Sequence, residues 1–145
     1  MKIILADQSH KEQITILITQ LQEQVGLSPS SEAVQESLER LMAQGTPILV
    51  ALGEKGDVAG VLSLQLRYTL FHSGISALIV DLVVAPSYQG VGVGKSLIEA
   101  AVQAAQARKC AVIEVCTAAE NRKALAFYSR QGFNQCGLFL EKQLD

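Results

Sequence analysis

The sequence predicts an α/β chain of the α+β kind, with a single mixed, mostly antiparallel sheet flanked by helices. Three observations predict it. Two amphipathic helical stretches give way at Pro47 to a succession of apolar, strand-like segments. A glycine-rich loop, SYQGVGVGKS at 87–96, separates an apolar strand from an alanine-rich helix. A further strand and helix follow that helix, so strands and helices share one layered core. With 145 residues, 49% apolar and 18% charged, the chain has the size and composition of one ordered domain, 1–145.

The first element is a short strand, Lys2 to Ala6. Ser9 lies three residues before Glu12, the spacing of a capping box. Ile14, Leu17, Ile18, Leu21 and Val25 then recur at helical spacing, and Gly26 closes that helix. A loop around Pro29 leads to a second helix with Val34, Leu38, Leu41 and Met42 on its apolar side, ended by Gly45. Strands follow at Pro47 to Leu52 and Val58 to Thr69, joined by a Gly53 to Asp57 turn. A hairpin loop at Phe71 to Ser76 leads to a strand from Ile75 to Ala85. That strand is largely apolar around Asp81, the pattern of a strand covered on both faces.

After the glycine loop come a helix from about Lys95 to Arg108 and a strand, Ala111 to Thr117. A helix from Asn121 to Gln131 follows, with Ala124, Leu125 and Tyr128 on one side and Gly132 as its cap. Phe133 to Leu144 offers one or two final strands. The order is βααβββαβαβ, with no repeat, linker or low-complexity tract.

Charge and cysteine usage exclude several functions. A net charge of −2 without a Lys/Arg block argues against nucleic acid or a polybasic membrane contact. Apolar runs fall short of the roughly 20 residues of a membrane span, and Met1 to His10 shows no signal pattern. Cys110, Cys116 and Cys136 form no CxxC pair and read as reduced thiols in a cytoplasmic protein, with Cys116 a small buried strand residue. His10 and His72 lie far apart, so no metal site is expected.

The glycine loop is tested against three templates. A phosphate-binding GxxxxGK[ST] loop requires glycine at position 89, where the chain has Gln89. A GxGxxG dinucleotide fingerprint fails at Lys95 when counted from Gly90 and at Leu97 when counted from Gly92. The template Q/R-x-x-G-x-G/A is met by Gln89, Gly92 and Gly94. With DLVVAPSYQGVGVGKSLIEAA at 81–101 and ENRKALAFYSRQGF at 120–133, the chain resembles the GCN5-related N-acetyltransferase (GNAT) family over Pro47 to Leu144. The LQLRYTLFHSG hairpin and the C-terminal GLFLEKQL resemble its aminoalkylphosphonate acetyltransferase branch.

The resemblance implies a GNAT-type acyl-CoA N-acyltransferase fold that moves acetyl from acetyl-CoA to a primary amine through a ternary complex. It implies a coenzyme A loop comprising Gln89, Gly90, Val91, Gly92, Val93, Gly94, Lys95 and Ser96, with Leu82, Val83 and Val84 lending their backbones to the pantetheine arm. The physics of the loop agrees without the family. A helix start presents unpaired N–H groups and partial positive charge, which suits phosphate, and glycine removes Cβ atoms and permits positive φ. The resemblance implies Tyr128 as the acid that protonates the leaving thiolate, and a cofactor contact by Asn121, which can equally be a plain N-cap. It leaves the base open. The positions one and three before Asp81, where relatives carry glutamate, are Val80 and Leu78. Asp81 and Glu114 are the candidates, beside a water chain. His72, Arg67, Tyr68 and Phe71 sit in the hairpin on the expected acceptor side. A small-molecule amine is the expected acceptor, and relatives are often dimers. The rivals are acetylation of a protein or peptide and a non-catalytic acyl-CoA-binding module.

Overall fold

The computed structural model of the chain describes residues 1–71 and 74–145. Among the described residues the strands are β1 (Lys2–Leu5), β2 (Ile48–Leu52), β3 (Val58–Thr69), β4 (Gly74–Val84) and β5 (Val112–Val115). They form one sheet in the order β1-β2-β3-β4-β5. Neighbours are antiparallel except β4 and β5, which are parallel. The helices are α1 (Lys11–Gln24), α2 (Ser31–Ala43), α3 (Val93–Ala107) and α4 (Arg122–Arg130).

The sheet is covered on both faces, which is why its strands read as near-continuous apolar runs. β2 alternates cleanly, and β3 does so once past Ala59, which a register shift leaves without a partner on β2. Leu49, Ala51, Leu62 and Leu64 pack with Val93, Leu97 and Ala101 of α3. Ile48, Val50 and Val61 pack with Ile14 and Leu17 of α1 and Leu38 of α2. β4 breaks the alternation once. Ser63 faces Asp81 while Leu64 faces Ile79, so Val80 has no partner on β3. This β-bulge reverses the parity of the strand. Ala77 and Ile79 before it and Leu82 and Val84 after it join the α3 side, while Val83 joins the α1/α2 side.

Local chemistry sets the helix ends. α1 is entered through a one-turn 3-10 helix, and its capping box is Asp7/His10 rather than Ser9/Glu12. Asp7 accepts from the Ser9 N–H at 2.8 Å, and His10 Nδ1 accepts from the Asp7 N–H at 3.0 Å. The aspartate reaches the free amides two residues sooner than Ser9 does. Ser30 and Asn121 cap α2 and α4 by accepting from Ala33 and Ala124.

The C-terminus departs from expectation. Residues 134–145 form no strand and are exposed throughout. The sequence pattern suits a strand, but a strand needs a backbone partner, and this chain lays none beside the segment.

Gly60 shows how tightly α3 is held. A Cβ there would lie 3.0 Å from the Val83 carbonyl oxygen and 3.1 Å from both Leu97 Cδ1 and Val93 Cγ1. Gly60→Ala is expected to push the first turn of α3 off the sheet and to cost about 1–3 kcal/mol by overpacking. Urea denaturation reads this as a lower midpoint at constant slope. An unchanged midpoint would mean that the helix sits less close than described.

Candidate active site

β4 is paired unequally along its length. Its ladder with β5 runs only from Ser76↔Val112 to Ile79↔Val115. Its ladder with β3 continues to Gly60↔Val84. Beyond Ile79 the β5 side of β4 is therefore an open edge. The Ala85 N–H donates to the Ala59 carbonyl at 2.8 Å, and this fixes the phase of the antiparallel ladder. Hydrogen-bonded pairs alternate with non-bonded ones. Val83, two residues before Ala85, turns its backbone to Val61, while Leu82 and Val84 turn theirs to the open edge. Of the three residues named from sequence, Leu82 and Val84 carry the edge donors, and Val83 contributes a buried side chain.

The strand runs from this edge into the glycine loop. Gln89 Nε2 donates to the Val84 carbonyl at 3.3 Å. Gly90 has φ +78° and Gly92 has φ +91°, both in the left-handed region that side chains disfavour. Gly92 is the N-cap of α3, and the first intrahelical bond is Ser96 N–H to Gly92 C=O at 3.0 Å. The N–H groups of Val93, Gly94 and Lys95 are thus those a helix start leaves unpaired. Gly94 answers a different need. A Cβ there would meet the Phe127 ring at 3.3 Å and Val84 Cγ2 at 3.8 Å. Its bareness lets the first turn of α3 dock between α4 and the open end of β4. Val91 is exposed in the loop and Val93 is buried beneath it. Lys95 lies 3.9 Å from Glu99 one turn on, with both side chains exposed.

Two cavities meet at Asp81. The first, of about 220 Å³, lies in the opening between β4 and β5, lined by Leu21, Ile79 to Val83, Val115, Cys116 and Tyr128. The second, of about 310 Å³, lies between the sheet and α1/α2, lined by residues that include Ile14, Ile18, Gln22, Leu38, Ser63 and Asp81. The Ser63 hydroxyl donates to Asp81 Oδ2, which orients the carboxylate. Ser63 itself is buried, while Asp81 is exposed. Tyr128 is half-buried, packed edge-on against Phe127 and Phe133 at ring-centre distances of 5.2 and 5.7 Å. Burial raises its phenol above the ordinary value near 10. A raised pKa favours the protonated form, so the group remains a proton donor across the physiological range.

Other candidates lie elsewhere. Glu114 is not among the residues lining either cavity. It accepts from Arg67 Nη2 at 3.1 Å, a bridge between β5 and β3 across β4. Asn121 Oδ1 accepts from the Ala124 N–H at 3.1 Å. Tyr68 and Phe71 are exposed at the hairpin end, and His72 lies outside the described residues. Cys116 is exposed and lines the first cavity, a correction to its expected burial, because β5 ends at Val115 and the chain turns into the opening. Among the described residues, no His/Cys/Asp/Glu group of three or more could hold a metal ion, and no helix is long and apolar enough to cross a membrane.

Sequence reasoning missed Ser63, Gln22 and the bulge at Val80. Gln22 had a signal. It follows Ile14 and Ile18 at four-residue steps, a polar residue on an apolar helical stripe, and its Oε1 is buried without a partner.

The family model described as the Acetyltransferase (GNAT) family matches residues 15–133. The chain belongs to the GNAT acetyltransferase family. It is 32% identical over 89 residues to an aminoalkylphosphonate N-acetyltransferase of Salmonella typhimurium, covering 61% of this chain and 58% of that protein. It is 33% identical over 89 residues to a streptothricin acetyltransferase of Streptomyces lavendulae, covering 61% and 45%. The matched stretch thus spans about half the length of these curated relatives. A crystal structure of a probable acetyltransferase superposes with a TM-score of 0.88 at 22% identity, covering 100% of this chain and 97% of that one. The GNAT fold is therefore shared along the whole chain.

Gly92 supplies a direct check on the loop. An alanine at φ +91° carries about 1–2 kcal/mol of left-handed strain, which the loop relieves by shifting its amides. Gly92→Ala is expected to raise the Kd for coenzyme A about tenfold while the circular dichroism spectrum is kept. Unaltered affinity would separate this loop from coenzyme A.

Proposed function

We propose that this GNAT protein transfers an acetyl group from acetyl-CoA to the primary amine of a small molecule by direct attack within a ternary complex. One observation carries the reading. The open edge of β4, at Leu82 and Val84, lies beside the unpaired amides of α3, and the cavity at that edge holds Tyr128 and Asp81. Bare amides at a helix start suit a diphosphate. An open strand edge suits an amide-bearing arm that pairs as an added strand.

The residues take these parts in the reaction. Val93, Gly94 and Lys95 N–H groups hold the diphosphate, with Gln89 and Lys95 side chains at its margin. The thioester supplies the activated carbonyl. Leu82 or Val84 N–H donates to the carbonyl oxygen as it gains charge, an oxyanion-type contact. Asp81, held by Ser63, anchors the amine and accepts the proton released as the C–N bond forms. Tyr128 gives its proton to the sulfur as the C–S bond breaks. Two features favour Asp81 over Glu114 as the acceptor: it borders both cavities, whereas Glu114 is engaged by Arg67.

The second cavity bears on the acceptor. Its lining carries Asp81 and several aliphatic side chains, with neither lysine nor arginine. Such a lining suits an amine on an uncharged or cationic body. It offers nothing to neutralise a phosphonate, although one matched relative bears the name of an aminoalkylphosphonate enzyme. The relatives' names support a small-molecule acceptor in general.

Free-thiol release from acetyl-CoA, measured against alkylamines, polyamines, aminophosphonates, amino acids and peptides, tests the reading. Turnover with a small aliphatic amine is expected, and acetylation confined to peptides, or no turnover at all, would refute it. Tyr128→Phe is expected to lower kcat about 10²-fold with the Kd for acetyl-CoA retained. Undiminished kcat would remove the phenol as the acid.

A further inference from the structure

We infer that Gln22 is a specificity residue: its Oε1 accepts a hydrogen bond from a hydroxyl on the acceptor, so the acceptor bound is an amino alcohol. This rests on Asp81 as the anchor of the reacting amine. Gln22 lies one turn after Ile18 and two turns after Ile14 on α1, and all three line the second cavity. Its Oε1 is buried and has no hydrogen-bond partner among the described residues. A buried carbonyl oxygen without a partner is uncommon and costly. The same helix shows how its other inward polar groups are met. Gln13 Oε1 accepts from the Val58 N–H at 2.8 Å, and Thr15 Oγ1 donates to the Lys11 carbonyl at 2.8 Å. Asp57 Oδ1 and Ser76 Oγ are also buried without a partner, but neither residue lines either cavity.

The end of α1 holds Gln22 in place. Gly26 has φ +80°. The Leu27 N–H donates to the Gln22 carbonyl at 2.8 Å, and the Gly26 N–H donates to the Glu23 carbonyl at 3.1 Å. These two bonds are the Schellman ending of a helix, and they fix the backbone of Gln22 in the last turn. Leu21 beside it lines the first cavity and Gln22 the second, while Asp81 lines both. The last turn of α1 therefore stands where the two cavities meet. Ser63 occupies Asp81 Oδ2, so Oδ1 is the oxygen left for the amine. Gln22 and Asp81 thus border one space, one as a neutral acceptor and the other as a charged one.

The rest of the lining sets the class of ligand. Ile14, Ile18, Val34, Leu38 and Leu41 supply an aliphatic wall, and Ser37 is exposed to solvent. A space of about 310 Å³ lies at the lower end of the range of ligand pockets, roughly 300–1,000 Å³, and suits a small molecule. The acceptor places its amine on Asp81, a carbon chain along the aliphatic wall and a donor on Gln22. A hydroxyl meets the Gln22 carbonyl without bringing a charge out of water. A second ammonium would enter an apolar space whose lining holds no carboxylate but Asp81. A plain alkylamine would lay a methyl group against the carbonyl and leave it unmet, which is how a polar site rejects an analogue that lacks the matching group.

Free-thiol release from acetyl-CoA with alkylamines, amino alcohols and diamines of graded length tests this, each matched set differing only in a terminal methyl, hydroxyl or amino group. At the best length the amino alcohol is expected to exceed the alkylamine in kcat/KM by at least about tenfold. Gln22→Met, unbranched and of similar length, is expected to bring that ratio close to one. Gln22→Glu keeps the size and adds a charge, and it is expected to turn the preference toward the diamine. Circular dichroism guards both variants against misfolding. Equal wild-type rates, a wild-type preference for the alkylamine or the diamine, or a preference that Gln22→Met leaves intact would overturn the proposal. If no amine is acetylated, NMR of the Gln22 side-chain NH2 signals during titration with the same compounds decides. Signals that shift with amino alcohols and not with alkylamines would uphold the recognition and fault the transfer proposed above. Signals that stay in place would overturn both.

Discussion

The fold turns on one constraint: β4 has a strand on both sides only up to Ile79. Above that point the sheet opens, and the backbone of Leu82 and Val84 has no neighbouring strand on that side. Unpaired backbone groups are costly when buried, so an opening of this kind persists where water or a ligand satisfies them. The short β5 creates the opening, the bulge at Val80 turns Asp81 into it, and the glycine loop brings the head of α3 to its rim. Gly94 and Gly60 permit the last of these, one by clearing Phe127 and the other by letting Leu97 and Val93 reach the sheet. The proposed acetyl transfer uses each of these features, and each has a local physical cause.

Much of this was legible in the sequence. The apolar runs of β2, β3 and β4 announce strands covered on two faces, and Asp81 stands out as the acid in the third. The spacing of Gln89, Gly92 and Gly94 selects one loop template over two others, and Phe127-Tyr128 marks α4. Less legible was anything that depends on parity. The bulge at Val80 leaves no compositional trace, so which face Asp81 and Val83 occupy could not be counted along the strand. Ser63 looked like one hydroxyl in an apolar run until the register placed it opposite Asp81. The α1 cap moved to Asp7 because two residues compete for the same free amides, and the better-placed carboxylate wins.

The C-terminal segment shows the limit of pattern from the other side. Phe133 to Leu144 reads as one or two final strands, and the structure forms none across 134–145. Apolar residues at 138–140 suit a strand, but pattern does not supply a backbone neighbour, and the chain places none beside 134–145.

The most direct test of the central claim is an amide-resolved NMR titration of the protein with coenzyme A. The account predicts that the N–H signals of Leu82, Val84, Val93, Gly94 and Lys95 move together with a single affinity, while the Val83 amide, bonded to β3, moves little. Saturable binding that leaves those five signals in place and shifts a different surface would contradict it.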